Sequence, residues 1–247
     1  MPISPKEKLR LSLLRILYKN VFAFEGGYQV EMNQSCLSYV ALGDSLTVGV
    51  GASFLTPGFV GRYARLTEKT LDRRVITNIF AKSGIESSGV LDIVSSEPLH
   101  DKINRANIIT ITAGGNDLIQ ASKDFIESRD QTEIAQSVKE CHSNMMKIMQ
   151  TIHELKKDCG VPYIVYLLNL YNPLPQITLA DKWVRLFNQQ LSSFDNKKTI
   201  RVVDIYTVFK DRQEELLSGD RIHPNSFGYQ QMANTLVQLG YPKEFNE

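Results

Sequence analysis

Three short stretches of the sequence hold side chains that could act together on a carbonyl group. They contain Ser45, Asn116, and the pair Asp220 and His223. Serine is a weak nucleophile until a base takes its proton, and the base needs a partner that fixes its tautomer. Because Asp220 stands three residues before His223, one turn of chain can bring the carboxylate to the imidazole. The spacing predicts Ser45 as nucleophile, His223 as general base and Asp220 as its orienting carboxylate. We expect the amide of Asn116 to stabilise an oxyanion.

Ordinary structural roles compete with this interpretation at several of these positions. A serine at a strand-to-helix turn, such as Ser45, is usually a helix cap. Asp44 could be taken for the acid of a triad, but hydrogen bonds that hold the loop are its more common role. The same holds for Asp117, which follows the asparagine. Asp220 is therefore the better candidate for the orienting group.

The other three histidines lack the carboxylate that precedes His223. His142 and His153 fall off the apolar stripe of a predicted helix, which indicates solvated side chains, and His100 falls in a predicted loop. No two histidines have the spacing of metal ligands, so the sequence predicts no metal site.

Alternating strands and helices must position these residues. Short β-rich apolar runs separate longer helical patterns, which is typical of βαβ units around a parallel sheet. A three-layer α/β/α domain with five parallel strands is therefore the expected fold. The strands are predicted at 37–42, 74–80, 106–112, 163–168 and 201–205. In such sheets ligands bind beyond the carboxyl ends of the strands, where Ser45 and Asn116 stand.

Two helices have clear patterns, and a third has a recognisable start. Apolar residues from Ile134 to Leu155 recur at steps of four and three, which predicts a long helix with a buried face. A last helix is expected over 226–239, and Thr56 followed by Pro57 resembles a helix start.

Composition limits the remaining function classes. The chain has 247 residues, is 43% hydrophobic, and carries 28 basic and 27 acidic residues, so one compact domain is expected and nucleic acid is not an expected partner. Three cysteines without C-x-x-C spacing do not form a disulfide framework. A phosphate cradle is a weaker alternative, because the glycines after the first strand do not have G-x-G-x-x-G spacing. These glycines are Gly43, Gly49 and Gly51.

The N-terminal region is predicted to be an amphipathic helical extension over residues 1–30, before a single domain over 31–247. Ser4 and Glu7 form a capping box for a helix over 4–19, which has an apolar and a basic face. This helix could contact a membrane surface, or it could pack on the core of its own domain. No stretch is long and apolar enough to span a membrane, and no export signal is evident, so a cytoplasmic location is favoured.

Together the motifs resemble those of the GDSL/SGNH hydrolases. The stretches 39–46, 114–117 and 220–224 are similar to that family's G-D-S-L, G-x-N-D and D-x-x-H-P blocks, in the same order. Gly84 resembles the family's glycine after the second strand, although Gly89 is an alternative. The resemblance covers about residues 38–240 and implies a flavodoxin-like fold and no cofactor. It further implies an oxyanion hole formed by the backbone N–H groups of Ser45 and Gly84 and the side chain of Asn116.

The expected activity is hydrolysis of a small-molecule carboxylic ester, short-chain or lipid-like, through an acyl-enzyme on Ser45. The same family contains carbohydrate deacetylases and thioesterases, which remain alternatives. A binding module without catalysis on the same scaffold is a further alternative. The segment 170–177 could line an acyl pocket or be a packed surface loop.

Overall fold

The computed structural model describes residues 36–53, 55–128 and 130–246. The predicted N-terminal helix lies outside the described residues. The proposed division into residues 1–30 and 31–247 therefore stays a prediction.

The centre of the fold is a five-stranded parallel sheet in the order β2-β1-β3-β4-β5. Strands β1, β3 and β4 are almost wholly buried, because helices cover both faces of the sheet. The order reverses direction at β1, so β1 and β3 leave the sheet side by side at a site where ligands commonly bind. The strands are β1 Leu37–Gly43, β2 Val75–Ala81, β3 Ile108–Ile111, β4 Ile164–Leu168 and β5 Ile200–Val203.

Ten α-helices and one 3₁₀ turn lie in the described part of the chain. They are α1 Ser45–Val48, α2 Phe59–Leu71, α3 Ser87–Ser95, α4 Glu97–Arg105, α5 Gly115–Ser128, α6 Gln131–Lys156, α7 Thr178–Ser192, α8 Ile205–Phe209, α9 Gln213–Leu216, α10 Ser226–Gln238 and the 3₁₀ turn Lys243–Asn246. None of these helices is long and apolar enough to cross a membrane.

Helices pack against both faces of the sheet and enclose two apolar cores, one on each face. Residues of α3, α4, α6 and α7 pack on one face, and residues of α2 and α10 pack on the other. The apolar stripe predicted for α6 is buried from Ile134 to Ile152 and faces the first core. This arrangement confirms the predicted three-layer α/β/α architecture and the strand count.

Local capping explains where sequence patterns and structure differ. The fifth strand was predicted to run to residue 205, but Asp204 caps α8 by accepting a hydrogen bond from the backbone of Thr207, so Ile205 begins a helix. His100 lies within α4 and not in a loop. His142 is half-buried and its ring packs 5.3 Å from that of Phe194, so the prediction of a solvated side chain was wrong there.

Candidate active site

Ser45 lies at the first residue of α1, directly beyond the carboxyl end of β1. Gly43 makes the sharp exit from the strand with φ of +148°, and a Cβ there would lie 2.2 Å from Thr112 Oγ1. No other residue type fits that approach without displacing the neighbouring strand end. The close contact holds the turn against the end of β3 and leaves Ser45 7% exposed.

A buried hydrogen-bond network fixes the turn that carries Ser45. Asp44 caps α1 by accepting from the backbone N–H of Leu46 at 3.0 Å, and it accepts from the hydroxyl of Thr112 at 2.8 Å. Thr47 lies 2.8 Å from the same hydroxyl. Burial raises the pKa of the Asp44 carboxyl above its ordinary value, against the lowering effect of these hydrogen bonds. The structural role predicted for Asp44 agrees with these contacts, because none of them reaches the imidazole.

His223 and Asp220 meet Ser45 in a hydrogen-bonded row. The Nε2 atom of His223 lies 2.9 Å from Ser45 Oγ, and its Nδ1 atom lies 2.6 Å from Asp220 Oδ2. The other carboxylate oxygen of Asp220 accepts from the Ser218 hydroxyl at 2.7 Å and from the backbone N–H groups of Ile222 and His223 at 2.9 Å each. The three side chains that the sequence predicted to act together are therefore in contact.

Asp220 is held in its ionised form, which is the form that can orient an imidazole. Partial burial works to raise its pKa, but the hydrogen bonds from the His223 ring, the two backbone N–H groups and Ser218 outweigh it. They hold the pKa of the carboxyl well below its usual value. The side chain is 44% exposed, so water screens part of this interaction.

Two residues for which the sequence predicted no such role hold the histidine loop, residues 217–225 between α9 and α10. The Tyr171 hydroxyl donates to the carbonyl of Ile222 at 2.6 Å, and its ring stacks on Phe209 at 4.3 Å. Gly51, with φ of +90°, packs so closely that a Cβ would lie 2.9 Å from that of His223. Both contacts join residues that are far apart in the chain, so no pattern in the local sequence predicts them. The glycine at position 51 was noted only as a weak phosphate-loop signal.

The two further residues expected near an oxyanion lie on neighbouring loops. Gly84 occupies a left-handed turn after β2 with φ of +80°, one residue before Ile85. Asn116 lies in the first turn of α5, and its side-chain amide donates to the carbonyl of Ile85 at 2.7 Å. Gly89, the alternative glycine, lies within α3 and packs against Ile85. The hydrogen bond from Asn116 thus ties the Gly84 turn to the first turn of α5.

A second contact locks the Gly84 turn to α5, and it agrees with the structural role predicted for Asp117, although the sequence analysis did not identify its partner Ser87. Asp117 accepts from the backbone N–H of Ser87 at 2.9 Å and from its hydroxyl at 2.5 Å, and Asn144 donates to the same hydroxyl at 2.9 Å. Ser87 is fully buried at the start of α3. The lock sets the spacing between the Gly84 turn and the first turn of α5.

The arrangement has the residue types and order of a known hydrolase family. The sequence profile of the GDSL-like lipase/acylhydrolase family matches residues 41–231. The chain belongs to this family. It is 43% identical over 205 residues to spore germination lipase LipC of Bacillus licheniformis, a match that covers 83% of this chain and 97% of LipC.

Solved structures of other proteins have the same fold. The lipase Lip_vut3 from a goat rumen metagenome has 43% identity and a TM-score of 0.81, over 84% of this chain and 99% of that one. The acetylxylan esterase Axe2 of Geobacillus stearothermophilus shares the fold at 16% identity and a TM-score of 0.60, over 85% and 97% of the two chains. The GDSL family member described here is accordingly a carboxylic ester hydrolase with a flavodoxin-like fold.

Metal ligands are not grouped in the described part of this hydrolase. No cluster of three or more histidine, cysteine, aspartate or glutamate side chains there could hold a metal ion.

Proposed function

We propose that this GDSL hydrolase cleaves carboxylic esters through an acyl-enzyme on Ser45. The observation that carries the proposal is the hydrogen-bonded row in which His223 bridges Ser45 Oγ at 2.9 Å and Asp220 at 2.6 Å. A hydroxyl, an imidazole and a carboxylate in contact are the elements of nucleophilic acyl transfer.

In the first half of the reaction, Ser45 Oγ attacks the ester carbonyl carbon while its proton passes to Nε2 of His223. Asp220 accepts the Nδ1 proton as a hydrogen bond, which keeps Nε2 free to act as the base and stabilises the imidazolium. The tetrahedral intermediate then collapses, and the leaving alkoxide takes the proton from Nε2. The product alcohol departs and the acyl group stays on Ser45.

In the second half, water repeats the sequence. His223 takes a proton from water, the resulting hydroxide attacks the acyl carbon, and the proton returns to Ser45 as the carboxylic acid leaves. The oxyanion in both halves would accept from the backbone N–H groups of Ser45 and Gly84 and from the Asn116 amide. Asn116 uses one N–H on the carbonyl of Ile85, which leaves its second N–H for the oxyanion.

The acyl group is proposed to be lipid-like. Two relatives at 43% identity, LipC and Lip_vut3, are named lipases. The segment that follows β4 supports this choice, because Tyr171 is buried against the histidine loop and Leu170 is buried near Gly115, while Leu174 and Ile177 are exposed. A series of p-nitrophenyl esters from acetyl to palmitoyl tests it. Rising kcat/KM with chain length supports the proposal, whereas a sharp preference for acetyl would favour a carbohydrate deacetylase.

The nucleophile is tested by Ser45→Ala. This variant should abolish hydrolysis of a soluble p-nitrophenyl ester and labelling by a fluorophosphonate probe, while thermal unfolding stays near that of the wild type. Ser193→Ala is the matched control, because that hydroxyl only donates to the carbonyl of Gln190 at the end of α7. Labelling of the Ser45→Ala protein would refute the assignment. A wild-type protein that is neither labelled nor active would indicate a binding module.

A further inference from the structure

Exposed apolar side chains gather at the edge of the sheet where Ser45 lies. Leu55, on the loop after α1, is 87% exposed, and Phe227, in the first turn of α10 directly after the histidine loop, is 70% exposed. We call this set the apolar rim. It consists of Val48, Leu55, Leu174, Ile177, Ile222 and Phe227. The other exposed large apolar side chains of the described residues lie on β2, α5 and α6.

Hydrogen bonds hold the loops of the apolar rim together. The hydroxyls of Thr56 and Ser226 lie 2.8 Å apart, which joins the loop of Leu55 to the start of α10, where Phe227 stands. The Tyr229 hydroxyl, on α10, donates to the carbonyl of Val50 at 2.6 Å and so makes a second link between α10 and the loop that contains Leu55. On the other side, the hydroxyl of Tyr171 donates to the carbonyl of Ile222. The rim is therefore a fixed surface around the histidine loop.

The segments that carry the rim have no formal charge. Residues 45–61, 159–180 and 222–242 contain no aspartate, glutamate, lysine or arginine, although 22% of the chain is charged. The nearest charges along the chain to Ile222 are Asp220 and Arg221, which have opposite signs. An uncharged apolar surface complements an electrically neutral partner and offers nothing to an acidic or basic one.

The position of the rim restricts what can cover it during turnover. A folded protein seated on the rim would close the approach to Ser45 and His223, so it could not stay bound while ester enters and product leaves. A surface that contains the ester substrate can stay in contact with the rim during turnover, because the substrate enters the site from that surface. Exposed apolar side chains grouped on neighbouring segments mark interaction sites, because leaving them in water has a free-energy cost.

We propose that the apolar rim docks this hydrolase onto the surface of an electrically neutral lipid assembly, with Ser45 facing the acyl esters in it. The inference rests on the proposed ester hydrolysis and adds the physical state of the substrate. Leu55 and Phe227 enter the acyl region, and the loops around them, in which the opposite charges of Asp220 and Arg221 cancel, lie against a zwitterionic headgroup layer.

The test compares docking with turnover in the full chain. Vesicles of ether-linked phosphatidylcholine cannot be hydrolysed, so their sedimentation with the protein measures docking alone. The double variant Leu55→Ser/Phe227→Ser should reduce the vesicle partition coefficient roughly tenfold or more, since two apolar side chains no longer enter the lipid. Hydrolysis of p-nitrophenyl palmitate carried in those vesicles should fall by a similar factor. Hydrolysis of dissolved p-nitrophenyl acetate should not change, which also shows that the variant is folded.

Ile126→Ser is the matched control, because Ile126 is 64% exposed on α5 and outside the rim. It should dock and turn over as the wild type does. The proposal is overturned if the double variant docks normally, or if Ile126→Ser loses docking equally. It is also overturned if light scattering shows a wild-type dimer that the double variant dissociates, because the rim then binds a second copy. A wild-type protein that docks but hydrolyses neither ester would refute the proposed function and leave the docking result standing.

Discussion

Replacing Asp220 by asparagine should invert the tautomer of His223 while leaving the loop intact. In the wild type one carboxylate oxygen accepts three hydrogen bonds, from Ser218 at 2.7 Å and from two backbone N–H groups at 2.9 Å each, and the other faces Nδ1 of the imidazole. An asparagine has one acceptor oxygen and one NH₂ group to place in these two positions.

The hydrogen-bond count decides the orientation of the new amide. Turning the NH₂ group toward the loop would leave the two backbone N–H groups without an acceptor, at about 1 kcal/mol or more each, while the Ser218 hydroxyl could turn to accept from the amide. The resulting difference of about 2 kcal/mol corresponds to a preference of about 30-fold for the orientation with oxygen toward the loop. The NH₂ group then donates to Nδ1 of His223, so the ring proton moves to Nε2, which faces Ser45. In that tautomer Nε2 cannot take the proton of the nucleophile.

The expected loss in kcat for Asp220→Asn is about 10³-fold, below the roughly 10⁴-fold seen for a fully buried carboxylate, because water reaches this side chain. The assay is steady-state hydrolysis of a soluble p-nitrophenyl ester, with thermal unfolding measured in parallel. Asp101→Asn, on the exposed face of α4, is the control and should change neither. If Asp220→Asn retains kcat within about tenfold of the wild type, orientation of the imidazole does not limit the reaction and the reasoning fails.

Four further substitutions and one control probe the surroundings of the site. Asp117→Asn and Ser87→Ala each weaken the lock between the Gly84 turn and α5, so each should lower kcat by about 10- to 100-fold with little change in KM. A change in KM alone would contradict a positioning role. Gly51→Ala should lower both kcat and the melting temperature, because its Cβ would lie 2.6 Å from a carbonyl oxygen of the histidine loop. Gly160→Ala, with a positive φ but open space, should show only the strain of about 1 kcal/mol, and equal losses would refute this contrast. The pKa of buried Asp44 is raised in the folded state, so the folded state holds this proton more tightly than the unfolded state. The free energy of unfolding should therefore fall as the pH rises from the ordinary carboxyl pKa to the pKa of Asp44 in the folded state. Asp44→Asn should remove that slope in urea unfolding, and an unchanged slope would assign it to another group.

Much of the fold could be predicted from the sequence, because its strands are short apolar runs that end at turn-forming residues. The first strand ends at Gly43 and the long stripe of α6 has a strict helical period, so neither needs tertiary information. The error at the end of the fifth strand came from a helix cap, because Asp204 caps α8 and the strand therefore ends at Val203. The helix that contains His100 has a proline in its first turn, a start signal that was present and not used.

The candidate site divides in a similar way. Ser45, Asp220 and His223 stand in short motifs, and the structure brings them into contact; their catalytic roles remain the proposal. Tyr171 and Ser87 are different, because each acts through a partner that is distant in the chain, and a tyrosine or serine alone is no signal. Only the folded chain shows which carbonyl or carboxylate such a hydroxyl meets.

The hydrogen bond between Ser45 and His223 joins residues 178 positions apart, so it cannot form before the turn after β1 meets the loop that precedes α10. The first strand and the last helix must both have docked, and long-range closures of this kind come late in folding. During refolding, reactivity toward a fluorophosphonate should therefore recover with the slowest phase, after far-ultraviolet circular dichroism has reached its final value. The nucleophile thereby doubles as a chemical reporter of chain closure.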